Sequence, residues 1–314
     1  MPLRFTLRQL EYLVTVGDCG SISEAAARLN VSSPSISSAI AQLETEFGLP
    51  LFVRRHAQGL SPTQSGHRMI AGARQVLEGA AGLNILAGDI AGLVRGPLNV
   101  GCLVTFAQIV LPRLRRGFCD AHPAVAFHQF ERDQTELFDA LHRAELDVAM
   151  SYDMEIPSDL DFVPLASLPP YVLLPEAHPL AEHEAVSVTD LAAHPMILLD
   201  LPMSADYFLS FFEAQGLSPE IAERTRDFAV MRSLVANGFG YSIANIRYRS
   251  DLAPDGRRLR HVPLVGAPRP MRLGLLTARG ARSSMTVRAF IDHCTAEVAG
   301  GEVPGLAPLP PERC

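Results

Sequence analysis

Three short amphipathic helical patterns crowded between Thr6 and Gly48 constrain this chain more than any other feature. Leu10, Leu13, Val14 and Gly17 recur at the spacing of one helical face, starting near Thr6. Ser21 to Glu24 reads as a capping box, its hydroxyl and carboxylate answering the free backbone donors of a second helix that buries Ala25, Ala26 and Leu29. Asn30, Val31 and Ser32 supply a short turn, after which Ser33 is expected to cap a third helix with Pro34 at its first position. Small alanines allow close approach across so short a turn, which makes the pair a helix-turn-helix arrangement.

In the third helix Ile36, Ile40, Leu43 and Phe47 form the inward stripe, so Ser38 and Ala41 face outward with Ser35, Ser37 and Gln42 on the flanks. Short hydroxyls and an amide suit major-groove reading, where Ser bonds several base edges or phosphates and Gln grips adenine with two bonds. The same pattern also fits an ordinary solvated helix surface. Gly48 ends the helix, and Leu51 to Val53 start a strand pair that returns through Gly59 and Leu60 as a wing. Arg54 and Arg55 sit at its edge, placed for phosphates or a narrow minor groove, or simply solvated.

The run AAARLNVSSPSISSAIAQLETEFGLPLFVRR, followed by GLSPTQSG, resembles the N-terminal signature of LysR-type transcription regulators, and with the features below the resemblance extends to Gly300. It implies DNA contacts at Ser33, Ser35, Ser38 and Gln42 of the third helix and at Arg54 of the wing. The chain departs from the family at Ser38, Ala41 and Gln42, where basic residues are frequent, and at Gln58, where a wing arginine is frequent. From Met1 to Gly66, Arg4, Arg8, Arg28, Arg54 and Arg55 are balanced by Glu11, Asp18, Glu24, Glu44 and Glu46. A neutral head grips phosphate weakly, so two or more heads on one operator are needed to multiply its contacts.

From a cap at Thr63, the residues Met69, Ala73, Val76, Ala80, Leu83, Ala87 and Ile90 step by alternating fours and threes. That heptad seam favours pairing with another helix, although packing against the chain's own C-terminal domain is the alternative. A helix from Gln64 to Leu93 would extend on the order of 45 Å and end at Arg95, Gly96 and Pro97. The family resemblance implies an antiparallel helix pair, and a homodimer or homotetramer.

Beyond the hinge, strand-like runs (Leu98–Leu103, Val125–Phe130, Leu146–Ser151, Tyr171–Leu174, Met196–Leu199, Tyr241–Ala244) alternate with helical ones around Val110–Cys119, Thr135–Arg143, Ala205–Gln215 and Phe228–Asn237. Such alternation is α/β with parallel strands. Leu273–Thr277 and Met285–Ala299 add a last strand and helix, which the resemblance returns to the first lobe. The expected map is a winged helix-turn-helix head over 1–62 and a linker helix over 63–95. A two-lobed effector domain resembling periplasmic binding proteins follows over 96–300, with a Pro-rich tail over 301–314. The first lobe takes 96–160 and 267–300, the second 161–266, with crossings near Asp161 and Gly266.

The family pattern puts effector contacts at Thr105 and Phe106, at Arg132 and Gln134, and, in the second lobe, at Pro202, Met203, Ser204 and Tyr207. Each also has a plainer reading: Thr105 and Ser204 as caps, Phe106 and Met203 as core, Arg132 as a partner of Asp133. A guanidinium within a cleft would favour a carboxylate effector. Asn245 stands where the family often has proline, a change the sequence does not explain.

A net charge of -7 excludes coating of nucleic acid by bulk charge, so DNA binding must be local. All 27 cations are arginine, which carries no functional argument. Five cysteines without CxxC spacing suggest neither a disulfide framework nor a zinc site, and no cysteine pair in the second lobe supports peroxide sensing. No catalytic motif and no cofactor fingerprint occurs, and His178, His183 and His194 read as loop residues rather than metal ligands. Arg4, Arg8 and Glu11 interrupt any secretory signal and no apolar run is long enough for a bilayer, so a cytoplasmic protein is expected, with duplex DNA, a small effector and RNA polymerase as candidate partners, acting as activator or repressor. The reading from a different class is an α/β solute-binding module or enzyme with an incidental helical head. Deleting Met1 to Arg95 separates them, since such a module keeps its ligand affinity or turnover whereas a regulator loses operator binding.

Overall fold

In the computed structural model the described residues are 4–55, 59–90, 93–266, 269–279, 281, 284–301, 303 and 306–308. Side chains are described at all of these except 54, 55, 59, 78, 81, 84–90, 307 and 308. The chain forms two compact units, Met1–Ala87 and Gly88–Cys314.

The first unit packs α1 (Leu7–Cys19), α2 (Ile22–Leu29) and α3 (Ser33–Phe47) around Leu10, Leu13, Val16, Ala25, Ile36 and Leu43. Thr6 and Gln9 form a full capping box on α1, whereas at α2 the Ser21 side chain accepts from Glu24 N alone, without the reciprocal bond the sequence suggested. Asn30, in the left-handed region at φ 54, makes the sharp exit from α2 that the short turn needs. The wing is the antiparallel pair β1 (Phe52–Arg55) and β2 (Gly59–Pro62). It is tied to the bundle by Leu60 N to Gly20 O at 2.8 Å and by Glu44 Oε1, which accepts from Leu51 N at 2.7 Å.

Thr63 starts α4 (Gln64–Ile90), its hydroxyl accepting from Gly66 N at 2.8 Å. The expected seam divides. Ala73 is buried and Met69 half-buried against the head itself, helped by Ile70 and Leu77, one position along from the seam. Val76 and Leu83 are 47% and 66% exposed, while the side chains of Ala87 and Ile90 lie outside the described ones. A Cβ on Gly17 would come 2.6 Å from Ile70 Cδ1, so α1 and α4 approach as closely as a glycine permits. Arg74 and Asp18 pair across the same contact.

The second unit begins with β3 (Gly96–Leu103), the single turn α5 (Val104–Ala107), α6 (Leu111–Ala121), β4 (Val125–Arg132), α7 (Gln134–His142) and β5 (Val148–Tyr152). Then come β6 (Leu160–Leu168), β7 (Tyr171–Pro175), α8 (Val188–Leu191), β8 (Met196–Leu199), α9 (Ser204–Glu213), β9 (Ile221–Thr225) and α10 (Phe228–Ala236). It closes with β10 (Ser242–Ala244), β11 (Leu259–Pro263), β12 (Met271–Ala278), α11 (Met285–Ala299) and β13 (Ala307–Pro308).

The first lobe is a mixed sheet in the order β13-β6-β12-β5-β3-β4, with β3 parallel to β4 and β5 but β12 antiparallel to β5 and β6. The second lobe carries β10-β7-β11, all antiparallel, beside the parallel pair β8-β9, linked by a bridge between Met196 and Tyr241. Purely parallel sheets are therefore not what the alternation produced. The first crossing also differs from the expected Asp161: β6 pairs along β12 through Leu168, so the chain changes lobe at Pro169 and Pro170. Pro164 hid β6 from sequence reading, because proline lacks a ladder donor; it sits opposite Gly274 at a register shift.

Where the crossings meet, the almost fully buried Asp153 carboxylate accepts from Arg272 N and Nε, each at 2.7 Å, and from the Arg269 guanidinium at 2.8 Å. On β11, the buried His261 ring is held down to about pKa 4 by burial, with the nearby Arg247 guanidinium adding to the shift and Asp251 opposing it.

Gly274→Ala should cost about 1–3 kcal/mol, because the new methyl would lie 2.4 Å from the Val163 carbonyl oxygen on the next strand, as read from the denaturant midpoint. Stability should fall as pH drops from about 6.5 toward about 4, where the unfolded chain takes a proton on His261 and the folded chain does not. In His261→Gln, thermal unfolding across that window should lose part of this slope.

Candidate functional site

The outward face of α3 is fixed by what it buries. Ile36, Ala39, Ile40 and Leu43 pack inward, leaving Ser35, Ser37, Ser38, Ala41 and Gln42 exposed and Ser33 half-buried. Ser32, rather than Ser33, is the N-cap: its extended backbone lets its side chain accept from Ser35 N, and its hydroxyl lies 2.7 Å from that of Ser35. Pro34 is accordingly the second helical residue. Gln42 does not hold both amide atoms free for adenine, since its Oε1 accepts from Gln9 Nε2 at 2.8 Å. Gln9 Oε1 in turn accepts from Thr6 N at 2.8 Å. This relay turns the Gln42 amide nitrogen outward, as a donor for purine N7 or O6 or for a phosphate oxygen.

Two shallow grooves flank that face. One, of about 570 Å³, is bordered by Arg8, Gln9, Tyr12, Ser35, Ser38 and Gln42; the other, of about 400 Å³, by Arg4, Ser38, Ala41, Gln42 and Thr45. Sequence reading had not placed Arg4 and Arg8 here. Arg8 Nε donates to Tyr12 Oη at 2.8 Å, and its guanidinium lies 5.8 Å from the ring centre. The i, i+4 spacing of Arg8 from the buried Tyr12 on α1 was the available signal. Arg54 and Arg55 pair in backbone register with Leu60 and Gly59, while their side chains lie outside the described ones and Gln58 lies outside the described residues.

In the second unit the eight expected effector residues fall into three groups. Thr105, Phe106, Gln134 and Ser204 are all buried. Thr105 does not cap a helix; it lies inside α5 with Oγ1 beside the Tyr152 hydroxyl but without an aligned hydrogen bond, and Phe106 packs edge-on against Tyr152 at 4.6 Å. Burial pushes the Tyr152 phenol far above its usual pKa, with the Tyr171 and Tyr207 phenols nearby adding to the rise. Gln134 starts α7, which Asp133 and Glu136 cap reciprocally. Its Nε2 donates to the carbonyls of Tyr152 and Met154, while its buried Oε1 has no partner.

Pro202, Met203 and Ser204 form a tight turn. Ser204 N donates to Pro202 O at 2.7 Å, and Met203 is held at φ 63, ψ -38, a strained γ-turn geometry for a residue with a side chain. Ser204 is thus the first residue of α9 and not its cap. Tyr207, one turn along, donates from its hydroxyl to Arg269 O at 3.1 Å, tying α9 to the second crossing.

Arg132 does not pair with Asp133. Arg132 ends β4 while Asp133 has left the strand to cap α7, so Arg132 meets Glu145 at 3.2 Å within the same lobe, whereas the Asp133 carboxylate meets Arg226 of the second lobe at 2.8 Å. Tyr248 Oη bonds Gln108 Oε1 as a further link between lobes. Arg226 was missed by sequence reading; its signal is its position immediately before Asp227, which caps α10. Among the described residues no group of His, Cys, Asp or Glu is arranged to hold a metal, and no helix is long and apolar enough to cross a membrane.

Comparison with known proteins agrees with both units. Residues 7–67 match the family model described as bacterial regulatory helix-turn-helix protein, lysR family, and residues 91–299 match that of the LysR substrate binding domain. HinK, a LysR family transcriptional regulator from Pseudomonas aeruginosa, is 34% identical, covering 94% of this chain and 99% of its own, with a TM-score of 0.63. The transcriptional activator protein LysR of Escherichia coli is 27% identical over 92% of each chain. Full-length CbnR, solved with its target DNA, shares the fold at 22% identity, 93% and 99% coverage and a TM-score of 0.66.

Arg226→Ala should move the global unfolding midpoint little, by about 1 kcal/mol, because the guanidinium it removes is largely exposed and the Asp133 carboxylate keeps its cap bond from Glu136 N. Amide hydrogen exchange at the start of α7 should nevertheless rise, as the contact between lobes is lost.

Proposed function

Since the chain belongs to the LysR family of bacterial transcription regulators, with a helix-turn-helix head and an effector domain, we propose that it reads an operator as a symmetric homo-oligomer whose heads are repositioned by a small effector. The observation that carries this reading is the exposed hydroxyl and amide face of α3, bordered by Arg4 and Arg8. Ser33, Ser35, Ser38 and Gln42 enter the major groove, Arg54 and Arg55 hold phosphates or the minor groove beside it, and Arg4 and Arg8 supply cations that α3 itself lacks.

The functional segments are the head at 1–62, the spacer at 63–95 and the effector domain at 96–300. Pairing of spacers covers Val76 and Leu83, and the exposed Val230 on α10 with Phe239 just past its end supply a second apolar contact, so a dimer or tetramer forms. The effector lies between the lobes, where Gln134 Oε1 lacks a partner and Met203 is strained. Phe106, Pro202, Ser204 and Tyr207 complete its surroundings, with Arg132 exchanging Glu145 for a carboxylate on the ligand. Binding there competes with the Arg226–Asp133 contact and thereby biases one lobe arrangement over another. Operator and RNA polymerase place this work in the cytoplasm.

Genomic fragments selected by the purified protein, with and without candidate metabolites, test the whole reading: enrichment of a two-fold symmetric site whose occupancy or footprint shifts with a metabolite is expected. Absence of any enriched site overturns it. Arg54→Ala should weaken binding to every operator sequence alike and lower the slope of log affinity against log salt by about 1. An unchanged slope removes Arg54 from the interface.

A further inference from the structure

Asn245, which the sequence left without explanation, follows β10 beside the first crossing. Its Nδ2 donates to Leu168 O at 2.6 Å, a bond between lobes that fixes the amide's orientation. The residue is 5% exposed; its amide also lies within hydrogen-bonding reach of the Tyr207 hydroxyl, while Oδ1 has no aligned hydrogen bond. It borders a pocket of about 330 Å³ whose walls are Pro169, Pro170, Tyr171, Pro263 and Leu264. None of the eight expected effector residues lines this pocket.

Besides Ser167, the ionisable side chains of His261 and Arg247 line it. The His261 side chain is 2% exposed and neither ring nitrogen has an aligned hydrogen bond, although Nδ1 lies 3.1 Å from Asp251 Oδ1. Burial keeps that ring neutral at pH 7, with one donor and one acceptor nitrogen to offer. Arg247 stands at the mouth, half-exposed and 3.3 Å from the equally exposed Asp251, a pairing too weak to resist exchange for another carboxylate. The Tyr171 hydroxyl is already used on Ile246 O at 2.8 Å, so its ring serves as wall.

We infer that this hinge-side pocket is a second small-molecule site, taking a compact organic acid with an apolar body and a hydroxyl or amine donor of its own. The acid meets Arg247, the donor meets Asn245 Oδ1, and the body lies among the prolines and Leu264. Buried acceptors without donors are costly, so the donor is what distinguishes this ligand from other acids of similar size. A ligand seated here touches the residue that bonds the end of the second lobe to the end of the first, and so bears on the hinge directly.

Mandelate is a suitable probe, with phenylacetate lacking its hydroxyl and mandelamide lacking its charge, each titrated calorimetrically into the full-length protein. Mandelate should bind at least about tenfold more tightly than either comparison compound. Asn245→Leu should abolish its advantage over phenylacetate, and Arg247→Gln its advantage over mandelamide. Thr105→Val, in the space between α5 and α7, should change neither. Should Asn245→Leu fail to fold by circular dichroism, Asn245→Asp replaces it and should repel both acids while sparing mandelamide. Absence of saturable heat with the native protein, equal affinity for all three compounds, insensitivity to both pocket substitutions, or loss on Thr105→Val would each overturn the assignment. Operator binding by mobility shift is read separately, so such a failure leaves the regulator reading standing.

Discussion

The buried carboxylate of Asp153 is the point on which the second unit depends. A desolvated anion is tolerable only when its lone pairs are answered, and here an amide N–H and two guanidinium groups converge on it. Both arginines lie on or just before β12, the strand that returns from the second lobe and inserts between β5 and β6. The pairing therefore fixes the return strand to the end of β5, and Arg269 O then offers Tyr207 its anchor. Strand order, hinge position and the seat of α9 all follow from one charge being satisfied.

The head obeys a different economy. Its reading face carries no cation on α3, and the order on that face comes from neutral relays: Thr6 to Gln9 to Gln42, and Ser32 to Ser35. Relays of this kind orient donors before any partner arrives, which favours discrimination between base edges over strength of attachment. On the proposed reading, attachment comes from Arg4, Arg8 and the wing, and from more than one head acting together.

How much of this was legible in the sequence varies with the kind of signal. Helix boundaries in the head were readable within a residue because caps and glycines mark them chemically, and the one-residue slip at Ser32 arose because two adjacent serines are equivalent cap candidates. Met196–Leu199 and Met285–Ala299 were readable in full, being apolar or amphipathic without interruption. The elements missed were those whose pattern is broken: β6 by Pro164, β11 by Arg260 and His261, β9 by charged residues in its middle. Side-chain partnerships were the least legible. Arg132 and Asp133 are neighbours in sequence yet serve different lobes, and the partner of Asp133 lies 93 positions away. Asn245 is the reverse case, a residue recognisable as unusual from sequence whose reason appears only when Leu168 is brought beside it.

The missing side chain at Gly17 has a mechanical consequence. With Ile70 seated directly on the α1 backbone and Arg74 clamped to Asp18, the reading head and the opening turns of the spacer move as one lever arm. Torque applied to the distal spacer is resisted at this junction and, on the proposed reading, is passed on as a change in the pitch at which α3 meets a groove.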